Sequence, residues 1–234
     1  MMRAWTAAYA ICLLVSCAPL TELGLPKQAA LPAGRAETAL GLLPGRPEPD
    51  PAWLVSLAAS RQGSVAIALD DFDAVLAEVA AGHAVVMGHG LHAPLVAVGF
   101  DLTTGEVLLV GGRARILRQP LAAWRDDGDL ARFWAVAVIP PGELPVVADC
   151  ATYLRAASRL LRLGSPWEAV LAYDAGVARW PEEADALAGL GASLGDLGDR
   201  QGAAQALAAA AALGREPSVP ESMAEAEKDT SRRR

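Results

Sequence analysis

The sequence predicts a mixed fold, a small α+β block followed by an all-α pair of helical hairpins. Three observations carry that prediction. Short apolar runs of strand length recur between Val65 and Ile139, Pro140-Pro141 closes the last of them, and from Cys150 onward the chain repeats itself at a spacing of 34. At 234 residues, with 53% hydrophobic and 20% charged side chains, the chain suffices for one or two ordinary cores and not three.

The first 17 residues read as an address. Met1 to Arg3 is short and positive, and Ala4 to Val15 is an apolar stretch of secretory length, too short and too early for a spanning helix. It ends Leu14-Val15-Ser16-Cys17, which resembles the bacterial lipobox. The resemblance implies a signal peptide over 1–17 and a lipidated Cys17 at the mature N-terminus. Each buried methylene of an acyl chain contributes about 0.8 kcal/mol, so several chains hold a protein on a membrane. Ala18 follows in place of the Asp that retains lipoproteins at the inner membrane. That favours the cell envelope at the periplasmic face of an outer membrane.

Residues 18–51 contain Pro19, Pro26, Pro32, Pro44, Pro47, Pro49 and Pro51, and read as a Pro/Gly-rich tether with at most one short helix around Ala36 to Leu43. The block proper is expected over 52–142. A helix over Ala52 to Ser60 leads to a strand at Val65 to Leu69. Asp70 and Asp71 then open a helix over Phe72 to Ala81, where acidic groups suit the positive end of the helix dipole. Strands follow at Ala84 to Met87, Leu95 to Phe100 and Val107 to Val110, the last two joined through Asp101 to Gly105 as a hairpin. A helix near Leu121 to Trp124 and a strand over Phe133 to Ile139 complete it.

The repeat covers 148–217. Ala157, Ala169, Tyr173, Gly176 and Pro181 are matched 34 residues later by Gly191, Ala203, Leu207, Ala210 and Arg215. Small residues allow two helices to cross closely, and the aromatic or Leu wedges against the next unit. The pattern resembles the TPR repeat, with only the Pro lost in the second copy. Two units are fewer than the three or so that an independent array needs, so the pair is expected to lean on the preceding block. Residues 218–234 read as a disordered, charged tail.

Composition excludes several functions. A net charge of −7, with no Lys/Arg run before Arg232 to Arg234, argues against a nucleic-acid partner. The three cysteines, Cys12, Cys17 and Cys150, cannot build a disulfide framework. His83, His89 and His92 fit no common metal spacing, with no carboxylate or Cys nearby in sequence, and read as loop or surface histidines. The Gly88-His89-Gly90 and Gly111-Gly112 turns lack the Lys-Ser/Thr of a phosphate-binding loop. Trp124 and Trp134 are expected in the core, and Trp167 and Trp180 in the repeat hairpin. No cofactor and no metal are expected.

Four stretches carry a wider resemblance: Leu57 to Gly63, Glu78 to Val86, His92 through Val98-Gly99-Phe100-Asp101-Leu102, and Ala135 to Gly142. In this order, flanked by lipobox and repeat, they resemble bacterial cysteine peptidases of the bacteriocin-processing, double-glycine-leader type, in the lipoprotein group that carries TPR units. The resemblance implies a papain-like domain. Such an enzyme needs a thiolate at a helix N-terminus, a His to take its proton and an Asp or Asn to orient that His. The family's nucleophile lies in a Gln-x-x-Cys-Gly segment, yet no Cys occurs between Ala18 and Asp149.

His92 is the vestigial candidate for the base. It stands seven residues before Gly99, whereas the family's spacing of six falls on Ala93, and such a slip turns a strand side chain to the other face. A bulge at Pro94 would restore the direction. The next strand ends Val110-Gly111-Gly112-Arg113, without a carboxylate or amide for the third role. The expected function is that of an envelope lipoprotein with a degenerate, inactive peptidase-like domain and a TPR module that binds a protein or peptide partner. An active cysteine peptidase is the alternative.

Overall fold

The computed structural model describes residues 25–32, 34–43, 51–89, 93–111, 115–125 and 133–213. In chain order the elements are β1 (Gln28–Ala30), α1 (Arg35–Leu40), α2 (Pro51–Gln62), β2 (Val65–Leu69), α3 (Phe72–Ala80), β3 (Ala84–His89), β4 (Leu95–Asp101), β5 (Glu106–Val110), β6 (Ile116–Pro120), α4 (Ala122–Arg125), β7 (Phe133–Ile139) and four helices, α5 (Cys150–Arg162), α6 (Pro166–Arg179), α7 (Ala184–Asp196) and α8 (Arg200–Ala212).

The strands form one sheet in the order β2-β7-β3-β4-β5-β6, and every pairing is antiparallel. Strand alternation divides its side chains between two cores. Val65, Ile67, Val85, Met87, Ala135, Ala137 and Ile139 join one cluster with Val75, Leu76 and Val79 of α3. Ala66, Ala84, Val86, Val136 and Val138 join the other with Ala39, Leu42, Leu54 and Ala58. Helices α1 and α2 therefore cover one face, and α3 with the C-terminal helices covers the other. Burying a Leu or Val side chain fully contributes about 1.5–3 kcal/mol, so the two cores hold the layers together.

Local chemistry starts the helices where they begin. The Asp71 carboxylate accepts from the Ala74 amide at 2.7 Å, Asp149 from Thr152 at 2.7 Å, and Asp199 from Gly202 at 2.9 Å. Pro166 begins α6, where its missing N–H costs nothing.

The start of α7 follows that of α5 by 34 residues, and α8 follows α6 by the same interval. Gly164 and Gly198, also 34 apart, both take a left-handed φ in the turn within each hairpin (78° and 85°). Ala157, Ala169 and Ala210 are fully buried, and any side chain on Gly189 would run into the Tyr173 ring. Tyr153, Leu160, Tyr173 and Ala186 share a core with Ile67 and Ile139 of the sheet, so the helices and the sheet pack as one body.

Four expectations need correction. The tether does not hold over 25–43: β1 pairs with the Gly99 to Asp101 end of β4, beyond the part of β4 that β3 occupies, and Ala39 and Leu42 are buried. Apolar residues spaced to reach the sheet outweigh the local Pro and Gly content. The α+β layer therefore begins well before residue 52. Strand β6 was unforeseen. The irregularity in β4 lies between Ala97 and Gly99, not at Pro94. There Ala29 O approaches so closely that a Cβ on Gly99 would stand 2.6 Å from it. Finally, Trp167 is 59% exposed, because α6 turns it outward, while Trp180 packs on Tyr153 with ring centroids 5.7 Å apart. Residues 218–234 lie outside the described residues. No described helix is long and apolar enough to cross a membrane.

Candidate functional site

Cys17 and His92 lie outside the described residues. The strand register nevertheless places what the peptidase resemblance would bring together. Val96 faces Val110, so the start of β4, which follows His92, lies beside the end of β5 and Gly111. The described residues at that end, Leu95, Val96, Val110 and Gly111, offer no carboxylate, amide or thiol.

Cys150 is the one thiol among the described residues, half-buried at the first turn of α5. A helix N-terminus ordinarily favours a thiolate. Here burial pushes the thiol above its usual value, and the negative charges of Glu183, Asp149 and Asp185 push the same way. The setting disfavours the nucleophilic form.

The histidine expected on the surface is in the interior. His83 is 3% exposed in the turn from α3 to β3, and its Nδ1 lies 2.5 Å from Oε2 of the fully buried Glu78. Glu78 Oε1 accepts from the amides of Val146 and Val147 at 2.8 and 3.0 Å, which ties the segment before α5 to α3. His83 Nε2 stands 3.3 Å from Glu143 Oε2, and Arg35 grips Glu143 through two bonds of 2.6 and 2.8 Å while donating to Gly82 O. The Arg35 guanidinium holds the Glu143 carboxyl below the usual carboxylate range.

Glu143 was missed because it is distant from His83 in sequence, whereas Glu78, five residues from His83, was passed over although the turn after α3 folds the two together. They approach opposite nitrogens of the ring, so the three groups share no common point for a metal. No metal-binding cluster occurs among the described residues. With both nitrogens occupied and the ring enclosed, this network fastens α1, α3 and the segment leading to α5. It is not open to a substrate.

The open feature is elsewhere. Strand β2 ends the sheet, and along it runs a groove of about 440 Å³ between α2 and α5. Ser56 of α2, Ala66 and Ala68 of β2, and Thr152, Arg155 and Arg159 of α5 line it. Sequence reasoning did not single out these residues. The signal was the pair of arginines four apart on one helix, and nothing local says that β2 is an edge.

Comparison with protein-family models, with curated proteins and with solved structures finds no match to this chain.

Proposed function

We propose that this chain is a non-catalytic lipoprotein of a bacterial envelope, anchored through Cys17, that binds a peptide or protein partner. In this reading the α+β layer is a degenerate relative of the papain-like cysteine peptidases, and α5 to α8 are two TPR-type units. The setting of Cys150 carries the non-catalytic half: half-buried and beside the charges of Asp149, Glu183 and Asp185, its thiol is held away from the thiolate that acyl transfer requires. The equal 34-residue spacing of the two hairpins supports the binding half.

The test is a peptide library and an epoxide thiol probe, incubated with the purified chain and read by mass spectrometry, with Cys150→Ala as control. The expected outcome is intact peptides and no labelling beyond that control. Specific cleavage would overturn the reading. In cells, incorporation of an alkynyl fatty acid is expected and should be lost in Cys17→Ser.

A further inference from the structure

The groove along β2 combines two features. One is the end of the sheet. Among the described residues β2 pairs with β7 on one side only, through Val65 to Leu69, and the sheet ends there. Ala68 is the exposed residue of that strand, while Val65, Ala66, Ile67 and Leu69 are buried, so the groove opens on the strand at Ala68.

The other is a concentration of positive charge in an acidic protein. Arg155, Arg159 and Arg162 recur on α5, and none forms an ion pair among the described residues. Arg155 and Arg162 donate only to the hydroxyls of Thr152 and Ser158, at 3.4 and 3.0 Å. Asp149, close enough to feel Arg155, is engaged as the cap of α5. Burial, with Arg162 and Arg155 beside it, pulls the Arg159 guanidinium below its ordinary value. An incoming carboxylate would relieve that cost.

The spacings agree as well. Residues four apart on a helix stand about 6 Å apart along its axis, and residues two apart on a strand about 6.6 Å. Two alternate carboxylates of an extended segment therefore match the separation of Arg155 and Arg159. Ala66 and Ala68 keep the α2 side of the groove shallow and small.

We propose that this groove takes an extended acidic segment of a partner protein, which sets alternate carboxylates against Arg155 and Arg159. The proposal deepens the binding function above and rests on it.

The experiment measures binding of a short fluorescein-labelled peptide alternating Glu and Val to the full chain by anisotropy. A Lys/Val peptide of equal length serves as control. The acidic peptide should bind and the basic one should not. The double charge reversal Arg155→Glu, Arg159→Glu should weaken binding by about tenfold or more, with unchanged circular dichroism, and raised salt should weaken binding to the parent. Absence of acidic-peptide binding, or equal affinity in the folded double variant, overturns the proposal.

Two further arms test other occupants. If replacing Glu221, Glu225, Glu227 and Asp229 by their amides is needed before the peptide binds, the chain's own tail fills the groove. If the parent is a dimer that charge reversal dissociates, a second copy fills it. Either result overturns the assignment to a partner. Mass spectrometry of the recovered peptide separates the two readings: cleavage would sink the non-catalytic function, whereas an intact peptide indifferent to the arginines would sink only the groove.

Discussion

Glu143 is the residue on which the chain's acid behaviour should turn. Its carboxylate is held by Arg35 first and by His83 second, and both partners favour the charged form. A carboxyl whose folded pKa is depressed contributes stability that is fully present above its ordinary value of 4.5 and is lost as pH falls through the lower folded value. Arg35→Met removes the principal partner. The thermal midpoint of that variant should therefore lie below the parent's at neutral pH, and the gap should close as the pH is taken below 4.5 and through the folded value. A gap that stays constant with pH would mean that Arg35 acts through packing or through its bond to Gly82 O rather than through the charge of Glu143. The sequence held the parts of this network but not their association. Glu78 and His83 are five residues apart across a turn, Arg35 and Glu143 more than a hundred apart, and only the fold brings them to one seam.

At the scale of the element, glycine substitutions in α7 separate packing from helix propensity. Gly191 lies where α7 crosses α8: a Cβ there would stand 2.8 Å from Leu207 Cγ and 3.1 Å from the Ala203 carbonyl. Gly195, one turn further on, would bring its Cβ no closer than 3.9 Å to Ala203 Cβ. Replacing a mid-helix glycine by alanine stabilises by roughly 0.5–1 kcal/mol from backbone entropy alone, and by less at Gly195 in the last turn of α7, while overpacking costs about 1–3 kcal/mol. Gly195→Ala should thus raise the thermal midpoint slightly, and Gly191→Ala should lower it despite the larger gain in propensity there. If both rise together, the α7–α8 crossing is looser than the close-contact repeat requires.

The repeat positions were legible because small residues at a crossing are a local necessity that recurs with the period. Strands β2 and β7 were legible for a similar reason, as unbroken apolar runs bounded by turn residues. β1 and β6 were not. Gln28–Ala30 and Ile116–Pro120 are largely exposed and short, and they are strands only because β4 and β5 present edges to them. The groove was illegible on the same grounds, since strand order decides that β2 is an edge.

For the whole molecule, the question is why two helical hairpins suffice where arrays usually need about three units. The sheet takes the place of the missing neighbour. Helix α5 rests on β2 and α2, and the Tyr153 hydroxyl donates to the carbonyl of Ala172 in α6 at 2.9 Å, with the carbonyl of Glu143 in the linking segment 3.2 Å away. Tyr153 and Tyr173 belong to the core shared with the sheet, and burial raises the Tyr153 hydroxyl pKa well above its ordinary value and lifts that of Tyr173 to about 12. A continuous core predicts one cooperative transition. Among the six tryptophans, Trp134 reports on the sheet and Trp180, against Tyr153, on the helices. Single-tryptophan variants keeping one or the other, unfolded in urea and followed by fluorescence, should share a midpoint and a slope. An earlier loss of the Trp180 signal would show the hairpins opening while the sheet persists, and would place the seam between the two in the weak link from Pro140 to Asp149 that Glu78 ties down.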